Sequence, residues 1–413
     1  IYGQGDMSQE VQITIIGGGV IGCAIAYELS RDPGLEIVLI ERNRQINGEN
    51  QSSRNSGVIH SGIYYSRKAG PLKARLCVEG NRLLYEFCKE HNIPHKKTGK
   101  LVVASDSLEE EYLEDVYRTA LENGVPGIEK IDRGRVNQYE SNIAAVSALY
   151  VPTSGIIEPT VLVDKLYRLA ESYGVIFLLG NEAVGIKPQD EGIEVKIKSD
   201  TGIEIFKTRI LINAAGLYSD DIARMIDHAS PYRMDPVGGE WARFYKSKRD
   251  NIYMNGLNVY PVPHGYLPDG TKLEVDFKEF QKQLKMGKVH KSTGVHLTPT
   301  LELKDGKYLV GDTVIVGPAY TKPRDREDYS QKREIEYYLD MVLPFFPHLK
   351  LEDLGLHQSG IRAKLKDQYD FVIEKDPVHS KVINLVGMDS PALSASLAVA
   401  RYVKELMGRD ILR

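Results

Sequence analysis

The sequence has few cysteines, no excess of one charge sign and no long uninterrupted hydrophobic run. Its three cysteines among 413 residues are too few for a disulfide framework or a four-cysteine zinc site, which favours a reducing compartment. Lys and Arg number 53 and Asp and Glu 57, giving a net charge of −4 and no basic footprint for nucleic acid. The longest apolar stretch, residues 13–27, contains four glycines and is too short for a lone transmembrane helix.

Several catalytic and targeting motifs are also missing. The ten histidines form neither H-x-x-x-H nor H-E-x-x-H, so we expect no metal site. There is no G-x-S-x-G elbow and no Walker lysine. We expect Met7 to be the natural start and find no secretory signal after it. A cytoplasmic location follows as an expectation, with peripheral contact at the inner face of a membrane left open.

The length predicts two or three domains with substantial cores. Residues 11–16 and 36–40 have the apolar character of buried parallel strands, and residues 21–30 between them predict a helix. This β-α-β unit is joined by predicted strands at 193–198, 209–213 and 381–386. Further helices are predicted at 72–91, 108–121, 159–173 and 390–406.

The segments with buried-strand character lie at both ends of the chain and in its middle. We therefore predict an α/β fold in which a Rossmann-like domain is interrupted by a second, antiparallel-sheet domain of the α+β type. The first comprises residues 7–90, 151–225 and 355–413, and the second comprises 91–150 and 226–354. The lysine-rich segment 265–291 predicts a solvated, exposed loop.

A glycine fingerprint lies between the first strand and the first helix. Residues 17–22 read GGGVIG, a match to G-x-G-x-x-G, and Glu41 ends the next strand. Gly17 permits the tight turn, Gly19 lets the backbone approach a pyrophosphate, and Gly22 allows close helix–strand packing. Glu41 can accept both ribose hydroxyls of an adenosine. The pattern predicts one dinucleotide site, with a turn that serves only packing as the alternative.

The segment that follows is rich in small polar residues and glycine, and it carries a family resemblance. The strings concerned are NSGVIHSGIYY at 55–65, LKARLCVEG at 72–80, GKLVVA at 99–104, NGVPG at 123–127 and GVHLTP at 294–299. With these strings the chain resembles the FAD-dependent family of D-amino-acid oxidase, glycine oxidase and glycerol-3-phosphate oxidase. Within that family it is most similar to L-2-hydroxyglutarate dehydrogenases and oxidases.

Two strings depart from the hydroxyglutarate pattern. Residues 238–241 read GGEW where an RGDY-like stretch is expected, and residues 387–393 read GMDSPAL, which is similar to the glycerol-3-phosphate oxidase version. The 265–291 segment is longer than the family usually has. These departures leave the identity of the substrate open, but they do not alter the prediction that the chain binds a flavin.

The fingerprint and the resemblance together imply a set of FAD contacts. Ala215 and Gly216 are among the predicted contacts, although these two residues could instead form only a turn between a strand and a helix. The residues implied are Gly17, Gly19, Val20, Ile21, Gly22, Glu41, Arg42, Ser53, Asn55, Ser56, Gly57, Val184, Ala215, Gly216, Gly387 and Met388.

His60 and Arg362 are the candidate catalytic residues. Oxidising an alcohol needs a base for the hydroxyl proton, and histidine titrates near neutrality. A guanidinium offers two parallel hydrogen bonds to a carboxylate, although Arg362 could instead form a structural ion pair with Asp367 or Asp370. Further candidates for the substrate pocket are Tyr64, Tyr260, His264, Lys291 and His296.

The resemblance implies oxidation of a small 2-hydroxy acid, with L-2-hydroxyglutarate as first choice and hydride transfer to flavin N5. The alternatives are oxidation of glycerol 3-phosphate, oxidation of an amine or amino acid, and flavin binding without catalysis. Oxygen, a quinone and a carrier protein all stay open as electron acceptors.

Overall fold

The computed structural model describes residues 10–268 and 270–408. The expected start at Met7 lies outside these residues. Within them, no helix combines the length and the apolar character needed to cross a lipid bilayer.

Nine helices occur in the described residues: five lie where the sequence predicts helices, with bounds shifted by at most two residues, and four, at 133–139, 219–226, 277–285 and 335–342, were not predicted. The nine are α1 (Val20–Ser30), α2 (Pro71–Glu90), α3 (Glu109–Glu122), α4 (Arg133–Tyr139), α5 (Pro159–Ser172), α6 (Ser219–Ile226), α7 (Phe277–Lys285), α8 (Ile335–Val342) and α9 (Ala392–Met407).

The strands of the described residues form two large sheets and two small ones. They are β1 (Val11–Ile16), β2 (Ile37–Glu41), β3 (Val58–Ile59), β4 (His95–Lys96), β5 (Lys100–Ala104), β6 (Glu129–Asp132), β7 (Ser147–Val151), β8 (Gly155–Ile157), β9 (Ile176–Leu179), β10 (Glu182–Pro188), β11 (Ile193–Ser199), β12 (Gly202–Asn213), β13 (Val237–Tyr245), β14 (Asn258–Pro261), β15 (His264–Tyr266), β16 (His290–Ser292), β17 (His296–Lys304), β18 (Lys307–Thr321), β19 (Gly355–Arg362), β20 (Val372–Lys375) and β21 (Val382–Val386).

The first large sheet confirms the predicted Rossmann-like arrangement. Strand β1 pairs in parallel with β2 on one side and with β12 on the other, while β9 extends the parallel part beyond β2. Strand β21, from near the chain's C-terminal end, pairs in parallel with the end of β12. These strands are apolar because helices α1, α5 and α9 cover one face, and the packed α6 and β10–β12 region covers the other.

The second large sheet is mostly antiparallel, with the order β19-β13-β18-β17-β14-β5-β7-β6. Alternate residues of β5 enter different cores: Leu101 and Val103 pack with α8, whereas Val102 and Ala104 pack with α3 and α7. Strands β3, β8 and β4 form a separate three-stranded sheet with β8 in the middle. The predicted α/β class with an inserted antiparallel sheet is confirmed.

The sheets divide the chain at a point that differs from the expected boundary. Strand β19 pairs with β13 in the second sheet, although the expected boundary assigns residues from 355 onwards to the first domain. The chain returns to the first sheet only with β20 and β21. No strand was predicted here because β19 has only two large apolar residues, Leu356 and Ile361, among its eight.

The expectation of a solvated loop at 265–291 was wrong. This segment contains α7 and is closed by the β15–β16 pair, in which His264 faces Ser292. The ring of Phe280 is fully buried and stacks 5.3 Å from the ring of Tyr112 on α3. The many lysines suggested full solvation, whereas one apolar stripe is enough to dock a short helix.

Candidate active site

The glycine fingerprint forms a tight crossing at the carboxyl end of β1. Gly17 adopts φ +108°, and a Cβ on it would lie 2.4 Å from the carbonyl oxygen of Ala214, at the end of the neighbouring strand. A Cβ on Gly22 would lie 1.9 Å from the carbonyl oxygen of Gly17. The strand, the turn and α1 therefore approach one another at distances that only glycine allows.

The start of α1 and the end of β2 face the same crevice. Ser52 Oγ accepts a hydrogen bond of 2.9 Å from the Val20 amide in the first turn of α1. The buried Glu41 carboxylate accepts from the Gly18 amide at 2.7 Å and from the Asn43 amide at 2.9 Å. The first turn of α1 and the Glu41 carboxylate could therefore hold the phosphate and the ribose of a dinucleotide.

A cavity of about 2040 Å³ runs from this crevice to the second sheet. Its volume exceeds the roughly 300–1,000 Å³ of ordinary small-molecule pockets, so it has room for a dinucleotide and a substrate together. Most of the predicted site residues line it: Gly17, Gly19, Val20, Ile21, Glu41, Arg42, Asn55, Ser56, His60, Tyr64, Ala215, Gly216, Tyr260, Lys291, His296, Arg362, Gly387 and Met388.

Two of the predicted glycines lie behind the lining and serve close packing. Gly22 packs against the carbonyl oxygen of Gly17, which leaves no room for a Cβ. Gly57 adopts φ +65°, and a Cβ on it would lie 2.5 Å from the carbonyl oxygen of Ile157 on β8. Both glycines shape the cavity through the backbone.

Three further predicted residues also lie outside the lining. Ser53 Oγ accepts from the amide of Gly48 at 3.0 Å and so stabilises a turn. Val184 lies at an irregularity of the β10–β11 pairing, and residues 181–183 line the cavity in its place. The buried His264 ring points to α3, where Nε2 lies 2.7 Å from Oε1 of Glu109.

His60 is held by its backbone, which leaves the ring in the cavity. Its amide donates to Ser394 Oγ at 2.8 Å, and its carbonyl accepts from Asn81 Nδ2 at 2.9 Å. Its Nε2 lies 3.4 Å from Ser390 Oγ. Burial, and then the positive charges of Lys100 and Arg362, lower the pKa of His60 well below its ordinary value. The ring is therefore neutral at neutral pH and able to accept a proton.

Arg362 is fixed by a buried carboxylate that neither alternative anticipated. Its Nη2 donates to Asp389 Oδ2 at 2.6 Å, and Nη1 donates to the Tyr320 hydroxyl at 3.1 Å. Lys73 Nζ donates to the other oxygen of Asp389 at 2.6 Å. Burial would raise the pKa of Asp389, but the two cations hold it below its ordinary value.

The expected ion-pair partners of Arg362 have other positions in the structure. The Asp370 carboxylate accepts from the amides of Leu72 and Lys73 and thus caps the start of α2. Asp367 lies in a turn with φ +56°. The buried Nε of Arg362 has no hydrogen-bond partner in the part of the chain that the structure describes.

Aromatic rings form the wall opposite this guanidinium. Tyr260 stacks on His296 with ring centroids 3.6 Å apart, and Tyr64 stacks on Tyr260 at 6.3 Å. Burial raises the pKa of the Tyr64 hydroxyl well above its ordinary value, and within residues 10–268 and 270–408 that hydroxyl has no hydrogen-bond partner. Lys291 lines the rim, where it donates to Asp115 at 2.7 Å.

Sequence reasoning missed several residues of the site. Lys73 and Asp389 belong to the LKARLCVEG and GMDSPAL strings, so those strings could have drawn attention to them. Ser52 adjoins the string that contains His60. Tyr320 is one of 24 tyrosines and had no distinguishing signal.

The GGEW stretch of β13 joins the second sheet to the cavity. Trp241 Nε1 donates to Ser56 Oγ at 3.0 Å. The buried Glu240 carboxylate accepts from the amides of Lys332 and Arg333 at 2.8 and 2.9 Å. This departure from the expected string thus fixes the segment around residue 332 beside the cavity.

The residues present fit FAD. Gly19 lines the cavity, and a Cβ on it would meet only Ser52 Oγ, at 3.1 Å, so its backbone is open to a phosphate group; the cavity continues from there past Ala215 to Gly387. In residues 10–268 and 270–408, no group of three or more His, Cys, Asp or Glu side chains could hold a metal ion.

Comparisons with known proteins agree with this geometry. The family model described as FAD dependent oxidoreductase matches residues 12–406. The L-2-hydroxyglutarate dehydrogenase of Indibacter alkaliphilus is 29% identical over 96% of this chain and 98% of its own. The glycerol 3-phosphate dehydrogenase of Caloramator mitchellensis is 31% identical over 96% of this chain and 73% of its own.

The fold is shared with a solved flavoprotein. The FAD-bound L-alpha-glycerophosphate oxidase of Mycoplasma pneumoniae superposes with a TM-score of 0.79 at 24% identity. The superposition covers 97% of this chain and 95% of that one.

We predict that Gly22→Ala abolishes or sharply weakens FAD binding, because its Cβ would meet the Gly17 carbonyl at 1.9 Å. The visible absorbance of the purified protein, before and after addition of FAD, measures the effect. Gly355→Ala is the matched control, since a Cβ there meets nothing within 4 Å. A yellow Gly22→Ala protein with unchanged FAD content would contradict the prediction.

Proposed function

The chain belongs to the family of FAD-dependent oxidoreductases, and from this premise we propose that it oxidises L-2-hydroxyglutarate to 2-oxoglutarate. The observation that carries the proposal is the pairing of a neutral His60 with an anchored Arg362 in one cavity. One group can take a proton from a hydroxyl, and the other can hold a carboxylate. The names of the relatives support this choice of substrate.

Arg362 would bind the C1 carboxylate of the substrate. Asp389 and Tyr320 each accept from one terminal nitrogen of Arg362, so each of these nitrogens keeps a second N–H, and the buried Nε has no partner within the described residues. Lys73 and Arg362 together carry two positive charges against the single negative charge of Asp389. This surplus of one positive charge favours an anionic ligand.

His60 would take the hydroxyl proton at Nε2. A neutral imidazole is the form that can act as a base, and burial keeps His60 in that form. FAD, when bound, supplies the acceptor for the hydride that leaves C2 of the substrate. The residues of this chain bind the acid, orient its C2 atom and hold the proton.

We propose that the FAD is held by the residues of the first sheet that line the cavity. The Gly17–Ile21 turn would bind the pyrophosphate, and Glu41 would bind the ribose. Ala215, Gly216, Gly387 and Met388 would contact the cofactor through their backbone. We also propose that β13–β19 and β5–β7 form the substrate domain, with its last boundary after Arg362.

A second candidate reaction is the oxidation of glycerol 3-phosphate. The GMDSPAL string at 387–393 and the relative in Caloramator mitchellensis favour it. A phosphate would use the same positive surplus at Arg362, because phosphate and carboxylate both accept the donors of a guanidinium.

Anaerobic addition of L-2-hydroxyglutarate is expected to bleach the flavin absorbance of the purified protein. The matched control is D-2-hydroxyglutarate, which has the same charges but the opposite configuration at C2. Glycerol 3-phosphate and a panel of amino acids complete the set. Bleaching by glycerol 3-phosphate alone would contradict the proposed substrate and support glycerol 3-phosphate as the substrate. Bleaching by none of these compounds would favour flavin binding without catalysis.

The pH dependence of kcat/KM is expected to follow His60. Because the pKa of His60 lies well below its ordinary value, the base stays neutral as pH falls through about 6.5, and the acid limb appears only below that pH. His60→Ala should lower kcat by roughly 10²–10⁴-fold with FAD still bound. The exposed His228→Ala is the control. An acid limb above pH 6.5, or full activity of His60→Ala, would exclude the assignment.

Arg362→Lys is expected to raise the KM for the hydroxy acid on the order of tenfold to a hundredfold. Lysine keeps the charge but loses the planar set of donors that Asp389 and Tyr320 orient. Steady-state kinetics measures the change, with the exposed Arg401→Lys as control. An unaltered KM would rule out Arg362 as the carboxylate anchor.

A further inference from the structure

A lysine is fully buried directly behind the aromatic wall of the cavity. Lys100 begins β5, and only 1% of its surface is exposed. Because side chains alternate along a strand, Lys100 points to the same face as Val102 and Ala104. That face packs against the cluster that contains Tyr64.

The ammonium of Lys100 lies against aromatic rings. Nζ is 3.6 Å from the ring centroid of Tyr260 and 5.3 Å from that of Tyr64. The His296 ring is also 3.6 Å from the Tyr260 centroid, so the lysine and the imidazole must occupy opposite faces of that ring. Tyr260 is thus held between a cation and an imidazole.

The surroundings of Lys100 contain little negative charge. Within residues 10–268 and 270–408, no ion pair joins it to a carboxylate. The Cys77 thiol faces it from α2, and burial raises the pKa of that thiol to about 12, which keeps it neutral. Burial lowers the pKa of Lys100 to about 7, and Cys77 acts weakly in the opposite direction. A cation buried without a carboxylate partner is costly, and the lowered pKa of Lys100 reflects that cost.

The neighbours are the two imidazoles of the cavity. Burial is the first cause that lowers the pKa of His60 and of His296, and the charge of Lys100 is the second for both. Arg362 adds to the effect on His60. A proton on either imidazole would therefore face a cation in a region of low dielectric.

We propose that Lys100 is a positioning residue of the active site: its ammonium, buried against one face of Tyr260, opposes a proton on the His296 imidazole stacked on the other face and on the His60 imidazole of the same cavity. This inference rests on the proposed function insofar as it gives His60 the role of base. Lys100 touches neither substrate nor cofactor, since it lies behind the residues that line the cavity. Its effect on the two imidazoles is electrostatic and acts through space.

The test compares holoenzyme and its Lys100→Met variant, each labelled with ¹³C-histidine and titrated by NMR. The signal of His60 is assigned by its loss in His60→Ala. Removal of the charge should raise the pKa of His60 and of His296 by a few tenths of a unit to about one unit. An unchanged pKa for both rings, in a variant with full FAD content and an unchanged melting curve, would overturn the proposal.

Lys97→Met is the matched control. Lys97 lies three residues earlier and its Nζ is 5.6 Å from the ring centroid of Tyr85, yet it is exposed and does not line the cavity. The Lys97→Met variant should leave the pKa values of His60 and His296 unchanged. An equal shift in this control would show a general loss of positive charge and would count against Lys100.

A measurement on the unaltered holoenzyme covers the case in which Lys100→Met does not fold. As Lys100 loses its proton near pH 7, the ring signals of the neighbouring His296 should shift, although His296 itself titrates far below that pH. Absence of any shift of His296 near pH 7 would overturn the proposal.

Kinetics then separates this proposal from the proposed function. If the enzyme turns over a hydroxy acid, Lys100→Met should move the acid limb of kcat/KM upward by the same amount as the NMR shift. An acid limb that stays in place despite the NMR shift would overturn the link to His60. If no acid in the panel reduces the flavin, the proposed function fails, whereas the NMR titration still decides the role of Lys100.

Discussion

The buried carboxylate of Asp389 is the contact on which the site depends. It follows β21 of the first sheet, and it binds Lys73 from α2 and Arg362 from the end of β19 in the second sheet. Three parts of the fold therefore meet at one side chain. Removing the carboxylate would leave two cations without their partner, which is far more costly than the loss of a surface pair. One positive charge remains in surplus, and in the proposed function it would favour an acidic substrate.

The rest of the cavity is built to keep this charge close to a neutral base. The backbone of His60 is tied to Asn81 and Ser394, so that only the ring is free to face the cavity. Lys100 and Arg362 both oppose a positive charge on that ring. The cations that would attract a carboxylate also oppose a proton on the imidazole, so they keep His60 neutral before substrate binds and lower its basicity.

The segment 264–292 shows how a polar composition can hide a packed element. Glu109 Oε1 on α3 lies 2.7 Å from His264 Nε2 and 3.1 Å from Lys272 Nζ, and these contacts hold the segment against α3. Phe280, which belongs to this segment, is fully buried. Lysines of this segment line one end of the cavity, so a region expected to be solvated shapes the entrance to the site.

The sequence by itself determined most of the parallel strands of the first sheet, the position of the glycine crossing and the family, whereas β9, β10 and β20 of that sheet were not predicted. Continuous apolar strands and a fingerprint of glycines are local patterns, and their physical meaning does not depend on what the rest of the chain does. The same is true of His60 and Arg362 as chemical candidates. Only the tertiary structure decided that Arg362 binds Asp389, which is distant from Asp367 and Asp370 in the chain, and that His264 turns away from the cavity to Glu109. Only the tertiary structure revealed the buried Lys100, because a lysine in a strand looks exposed until its neighbours on other strands are known. Charge partners and burial are set by long-range contacts, and these arise when strands that are far apart in the chain become neighbours in a sheet.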